Sequence, residues 1–87
     1  MKNNQELSRF ELAVGEHIAY ANYRLCDKNL FIDYVFAPEA LRGGGAAGNL
    51  MKEISEFARQ ENLKITPICG YAVAWLKKHK EYHDLLN

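Results

Sequence analysis

The sequence predicts one small α/β domain, of the α+β kind: an antiparallel β-meander, then a β-α-β crossover, then a C-terminal helix. Three observations predict it. Three strand-like stretches joined only by short turns fill the first part of the chain. A single strongly amphipathic helix follows a run of glycines. A short apolar stretch and a second helical stretch come after that helix. Short turns between successive strands favour antiparallel pairing. A helix between two strands instead lets them lie parallel through a right-handed crossover.

Each element has its own reason. Residues 1–8 are polar and read as a frayed start. Residues 9–14 alternate roughly and read as a strand, ended by the turn pair Gly15-Glu16. Residues 17–25 make a second strand. Ile18, Tyr20, Asn22 and Arg24 fall on one face, and Ala19, Ala21, Tyr23 and Leu25 on the other. The alanines predict a face closely covered by a helix. Cys26-Asp27-Lys28-Asn29 is a turn cluster, and residues 30–36 are a third strand rich in β-branched and aromatic residues. A loop containing Pro38 leads into the glycines. From residue 47 to 58, Ala47, Leu50, Met51, Ile54, Phe57 and Ala58 have the spacing of a buried helical stripe. Residues 64–68 read as a short strand. Residues 71–78 read as a helix with Ala72, Val73, Trp75 and Leu76 inward, and residues 81–86 as one more helical turn.

Composition narrows the function classes. At 87 residues the chain is a single domain over residues 1–87 with a thin core. That size excludes a large enzyme with a deep cleft. Eleven Lys plus Arg balance 11 Asp plus Glu, for a net charge of +0, which argues against nucleic acid or an anionic membrane as partner. No apolar run approaches the roughly 20 residues of a membrane span. The polar N-terminus lacks a signal peptide's apolar stretch, so a cytoplasmic protein is expected. Cys26 and Cys69 make no disulfide scaffold and should be thiols in a reducing compartment. No Cys or His pair has zinc-site spacing, so no metal is expected. The thin core leaves a monomer or a weak homodimer.

The most informative segment is Arg42-Gly43-Gly44-Gly45-Ala46-Ala47-Gly48. A glycine run alone could be merely a flexible loop, but its place between a strand and a helix N-terminus favours an anion site. The first N–H groups of a helix lack partners within it, and the macrodipole adds partial positive charge. Glycines let the backbone approach a diphosphate, and Arg42 adds a cation at the mouth. No Gly-Lys-Ser/Thr follows, so this is not a nucleotide-triphosphate loop. Gly43, Gly45 and Gly48 share the spacing of a dinucleotide fingerprint, but a preceding meander does not suit that fold.

These residues carry a resemblance. Arg42 to Ala47 resembles the Arg/Gln-x-x-Gly-x-Gly/Ala motif of the GNAT acetyltransferase superfamily. The chain is similar, over residues 10–86, to a small single-domain branch that pairs this motif with a Pro-x-Cys-x-aromatic segment, here Pro67-Ile68-Cys69-Gly70-Tyr71. The closing Glu81-Tyr82-His83-Asp84-Leu85 also resembles that branch. The resemblance implies a minimal GNAT-like fold and an acetyl-CoA-dependent N-acetyltransferase acting on a small-molecule or peptide amine. It places the diphosphate on the N–H groups from Gly43 to Gly48, through Gly44, Gly45, Ala46 and Ala47. The pantetheine arm would run along Val35 and Phe36, and the thioester would lie near Cys69, where two strands splay. One departure stands out: relatives usually carry His after the acidic residue before the loop, and here Asp33 precedes Tyr34.

Several residues keep two readings. Cys69 is either an acyl-accepting nucleophile at a helix start or a small buried hydrophobe. Tyr34 and Tyr71 either donate a proton and position the acceptor, or pack with a wet hydroxyl. Asp33 and Glu39 are candidate bases. His79 and His83 lie four apart, a spacing that on a helix could bind a metal, but Lys80 and the weak helical pattern there favour a surface pair. Lys78, in the cluster Lys77, Lys78 and Lys80, would reach the 3′-phosphate of coenzyme A or simply face solvent. A module that binds or senses acyl-CoA without turnover is the alternative to an enzyme, and a redox-responsive thiol at Cys69 is a third reading.

Overall fold

Five strands form one sheet in chain order: β1 (Lys2–Asn4), β2 (Arg9–Val14), β3 (His17–Cys26), β4 (Asn29–Phe36) and β5 (Lys64–Pro67). The computed structural model describes residues 1–87. The first four strands pair antiparallel, and β5 lies parallel to β4. Helix α1 (Ala46–Gln60) makes the crossover, and α2 (Gly70–Lys78) follows β5. Two 3-10 turns complete the chain, at Glu39–Leu41 and Lys80–Leu85. The expected meander, crossover and C-terminal helix are all present. No helix is long and apolar enough to cross a membrane.

Both helices lie on one face of the sheet. Ala19 and Ala21 are fully buried there, as their alternation predicts, with Phe10, Leu30, Ile32 and Ile65 from the neighbouring strands. Leu50, Met51, Ile54 and Ala58 of α1 meet them. Methyl-sized side chains on β3 let the helix approach the sheet closely. Ser55 is the one buried polar residue, and its hydroxyl donates to Met51 O at 2.8 Å, back within its own helix. The outer face of the sheet carries no helix. Arg9, Glu11, Tyr20, Asn22, Arg24, Phe31 and Asp33 on that face all retain some exposure.

Two differences from expectation have clear causes. Residues 2–4 form an edge strand instead of fraying. Asn3 accepts a hydrogen bond from the Tyr23 hydroxyl at 2.7 Å, and the N-terminal ammonium reaches Glu53 at 3.1 Å. On α2, Val73 is exposed rather than inward. Ala72, Trp75 and Leu76 fix the buried side of so short a helix, and Val73 falls outside the arc they define.

Sheet register decides what the C-terminal end of β4 presents. Tyr23 pairs with Ile32 but Asn22 pairs with Tyr34, so Asp33 is an extra residue on β4. A bulge of this kind shifts the side-chain alternation by one. Val35 pairs with the buried Ala21 and packs against the core, whereas Phe36 pairs with Tyr20 on the open face.

Candidate functional site

The glycine turn is built by two left-handed residues. Gly43 and Gly45 have φ of 86° and 81°, a region that residues with a Cβ enter only at a cost. Gly45 is also the residue that precedes α1, where no side chain caps the helix. The ladder of α1 begins with Asn49 N donating to Gly45 O at 2.9 Å. The N–H groups of Gly43, Gly45, Ala46, Ala47 and Gly48 donate to no acceptor in the chain, while Gly44 N is taken by Leu41 O at 3.3 Å. A row of free donors at the positive end of a 15-residue helix is a strong attractor for phosphate oxygens.

The turn closes one side of a cleft of ≈ 240 Å³ lined by Ala37, Leu41, Arg42, Gly43, Gly45, Ala46, Ala47, Gly48 and Tyr71. Arg42 is oriented by its Nε, which donates to Ala37 O at 3.0 Å. Its terminal nitrogens make no hydrogen bond within the chain and remain available to an anion. Gly48 faces α2: a Cβ there would lie 3.4 Å from Trp75 Nε1 and 3.7 Å from the Tyr71 hydroxyl. Its lack of a side chain brings the start of α2 up to the start of α1.

Beside this cleft the sheet opens. Pairing between β4 and β5 ends at Ile32 and Pro67. The Ile32 carbonyl then accepts from both Ile68 N at 2.9 Å and Cys69 N at 3.1 Å, which turns the chain away from β4 into α2. Residues 33–36 therefore have β3 on one side and no strand on the other. A backbone edge of this sort accepts an extended ligand as it would a strand. Cys69 immediately precedes α2, sits partly buried against the core and is a free thiol.

The candidates of the sequence divide accordingly. Arg42, Gly43, Gly45, Ala46, Ala47 and Gly48 line one cleft, and Gly44 shapes it from behind. Val35 and Phe36 supply the open edge, with Cys69 at its apex. Tyr34 lies on the outer face, 48% exposed, with its ring 6.4 Å from that of Phe36. Lys78 is exposed at the far end of α2 and does not line the cleft; seven residues of helix, roughly 10 Å, separate it from Tyr71. Asp33 is no free base: Arg24 Nε and Nη2 donate to its two oxygens, both at 2.8 Å, and these bonds hold its carboxyl below the ordinary 3.8. Glu39 is exposed and has no ion-pair partner.

The histidine pair is structural. His79 Nδ1 meets Trp75 O at 2.6 Å, and His83 Nε2 meets Leu76 O at 2.9 Å. Both rings thus donate to carbonyls in the last turn of α2, Trp75 O and Leu76 O, which also accept from His79 N. Tyr71 is the residue whose place the structure raises most. Its hydroxyl reaches into the glycine cleft, and burial pushes its phenol up from the ordinary 10.0. The close approach of Trp75 to Gly48 and the lining residues Ala37 and Leu41 have no local sequence signal, because each depends on packing between distant segments.

Comparison with known proteins agrees with this geometry. A family model of GCN5-related N-acetyl-transferases matches residues 9–85. The chain is also similar to the NMR solution structure of a GCN5-like putative N-acetyltransferase from Staphylococcus aureus. The TM-score is 0.67 at 27% identity, covering 92% of this chain and 89% of that one. No curated protein matches.

Proposed function

The chain belongs to the GCN5-related N-acetyltransferase family, and from that premise we propose that it moves an acetyl group from acetyl-coenzyme A to an amine. Membership and the structural neighbour support acetyl transfer in general. The observation that carries the cofactor is the row of free N–H groups from Gly43 to Gly48 at the head of α1. These donors and Arg42 would hold the diphosphate. The open edge of residues 33–36 would pair with the pantetheine amides, which directs the thioester to the splay beside Cys69. We place the activity in the cytoplasm, where the free thiols Cys26 and Cys69 persist.

Bound there, acetyl-coenzyme A supplies an activated carbonyl carbon. The chain supplies position, which alone removes a large part of the barrier to such a transfer. The neutral amine nitrogen forms a bond to the carbonyl carbon, and the carbon–sulfur bond breaks. The nitrogen gives up one proton to solvent. Tyr71, whose raised phenol stays protonated at neutral pH, donates a proton to the departing sulfur and is reprotonated from water. Cys69 lines the splay in this reading and carries no acyl group.

Titration of the purified protein with acetyl-CoA, beside desulfo-CoA and ADP, tests the proposal. Saturable binding of the CoA species, weaker for ADP, with acetyl transfer to an amine, is the expected result. No binding at millimolar ligand would leave the turn as a turn only. A second reading has one observation in its favour: Arg24 occupies the carboxylate of Asp33, the acidic residue that leads into the open edge. That suits a module that binds acyl-CoA without turnover, and tight binding with no transfer to any amine would establish it.

A further inference from the structure

We infer that the acceptor is an amine carried on an apolar or aromatic body, and that it is seated on a shelf of aromatic rings on the open face of the sheet. This deepens the acetyl-transfer reading above and rests on it.

The helices fill one face of the sheet, and the head of α1 and the start of α2 close that side of the splay. An acceptor therefore reaches the splay from the other face. There the Asp33 bulge has turned Tyr34 and Phe36 outward. Tyr20 on β3 completes the group, with ring centroids 5.2 Å apart for Tyr20 and Phe36 and 6.4 Å for Tyr34 and Phe36. Three rings grouped about Phe36, beside the strand edge that opens, make an apolar shelf. Flat apolar or aromatic groups pack on such rings with a gain beyond simple burial.

The charges around the shelf point the same way. Arg9 Nε meets Glu11 at 2.6 Å, with its guanidinium 4.7 Å from the Tyr20 ring centroid. Arg24 meets Asp33 at 2.8 Å, with its guanidinium 4.5 Å from the Phe31 ring centroid. Arg24 is held through two nitrogens by Asp33, whereas Arg9 is held by Glu11 through Nε alone and lies over the Tyr20 ring. A polyamine needs several free carboxylates and finds none among these. An aminosugar needs many polar side chains, and Asn22 is the only uncharged amide on β3 at this row. An amine with a flat apolar body loses nothing on these terms and gains contact with the rings.

The transfer itself is unchanged: one nitrogen–carbon bond forms, one carbon–sulfur bond breaks, the nitrogen loses a proton and the sulfur gains one. The test uses the full chain at saturating acetyl-CoA, after calorimetry has established that acetyl-CoA binds. Initial rates are measured with phenethylamine, spermidine and glucosamine. The inference expects kcat/KM for phenethylamine about 10-fold or more above both others, the scale on which an apolar site discriminates. Tyr34→Ser, at an exposed position, lowers that kcat/KM several-fold while the Kd for acetyl-CoA stays the same. Ring signals of Tyr20 and Phe36 shift when phenethylamine is added to the CoA complex, a readout that needs no turnover. Equal or better use of spermidine or glucosamine overturns the inference and leaves the acetyl-transfer reading standing. So does a concentration-dependent dimer that covers the shelf and excludes phenethylamine. Absence of acetyl-CoA binding overturns the acetyl-transfer reading itself, and the inference falls with it.

Discussion

Arg24 closes on both carboxylate oxygens of Asp33 at 2.8 Å, across two neighbouring strands. The pair settles two questions at once. Asp33 is the extra residue of the β4 bulge, so its anchoring holds the register that turns Val35 inward and Phe36 outward. A carboxylate held by a bidentate guanidinium is also a poor proton acceptor, because taking a proton breaks the bonds that hold it. Asp33 is therefore expected to position the open edge rather than to act as a base.

Asp33→Asn should leave acetyl-CoA binding intact and change kcat less than loss of a general base would, which costs about 100-fold or more. Its stability effect depends on pH. The folded carboxyl lies below its ordinary 3.8, so its contribution is present above that value and disappears as pH falls through the lower folded value. Urea midpoints of the wild type and the variant should differ at pH 7 and converge at the acid limit. A drop in kcat of about 100-fold with unchanged folding would restore Asp33 as the base.

Gly45→Glu should fold and fail to bind acetyl-CoA. Nothing lies within 4 Å of the position a Cβ would take there, so the side chain fits. The φ of 81° makes any such residue strained, by about 1 kcal/mol. Gly45→Ala carries the same strain without the charge and serves as the control. A carboxylate beside the free donors of α1 competes with a diphosphate for the same field. Calorimetry on both variants separates strain from charge: Ala is expected to weaken binding modestly and Glu to remove it.

The glycine turn was legible because its geometry is local: strand, left-handed residues and helix start follow one another in sequence. So were the buried stripe of α1 and the alanine face of β3, each a matter of period. What escaped depends on distant partners. Strand β1 exists because Asn3 finds Tyr23 and Met1 finds Glu53, contacts that span 20 and 52 residues. Neither leaves a periodic trace in residues 2–4. The bulge at Asp33 is a property of pairing, since residues 30–36 alone alternate as well without it. Tyr71 and Tyr34 carried the same two readings in sequence, proton donor or packing with a wet hydroxyl. The approach of α2 to Gly48 puts one in the cleft, and the Asp33 bulge turns the other onto the open face.

Tyr82 makes the alkaline limit of stability. It is almost fully buried, and its hydroxyl donates to Glu56 at 2.7 Å. That hydrogen bond, with burial, pushes its phenol up from 10.0 to about 12. A raised folded value means the contribution is complete below 10 and is lost as pH rises towards 12. Tyr82→Phe removes the bond and leaves Glu56 free to turn to solvent, at a cost of about 1 kcal/mol near neutral pH. Its melting temperature should lie below that of the wild type at pH 8, and the gap should narrow above pH 10. A gap independent of pH would show that the bond to Glu56 contributes nothing there.

Tyr71 in the glycine cleft and Cys69 at the splay beside it predict opposite outcomes on removal. Tyr71 offers a protonated hydroxyl in the cleft, so Tyr71→Phe should lower kcat by about 100-fold while leaving the Kd for acetyl-CoA unchanged. The ring and its packing beside Gly48 are kept, which separates proton donation from shape. Cys69 donates its backbone N–H to Ile32 O, a bond that any residue except proline keeps. Cys69→Ala should therefore fold, bind acetyl-CoA and turn over within about 10-fold of the wild type, losing only the contacts of one sulfur. Mass spectrometry of wild type quenched during turnover should show no acetyl adduct on Cys69. An adduct that forms and decays at the rate of turnover, with an inactive Cys69→Ala, would instead make the thiol the nucleophile and divide the transfer into two steps.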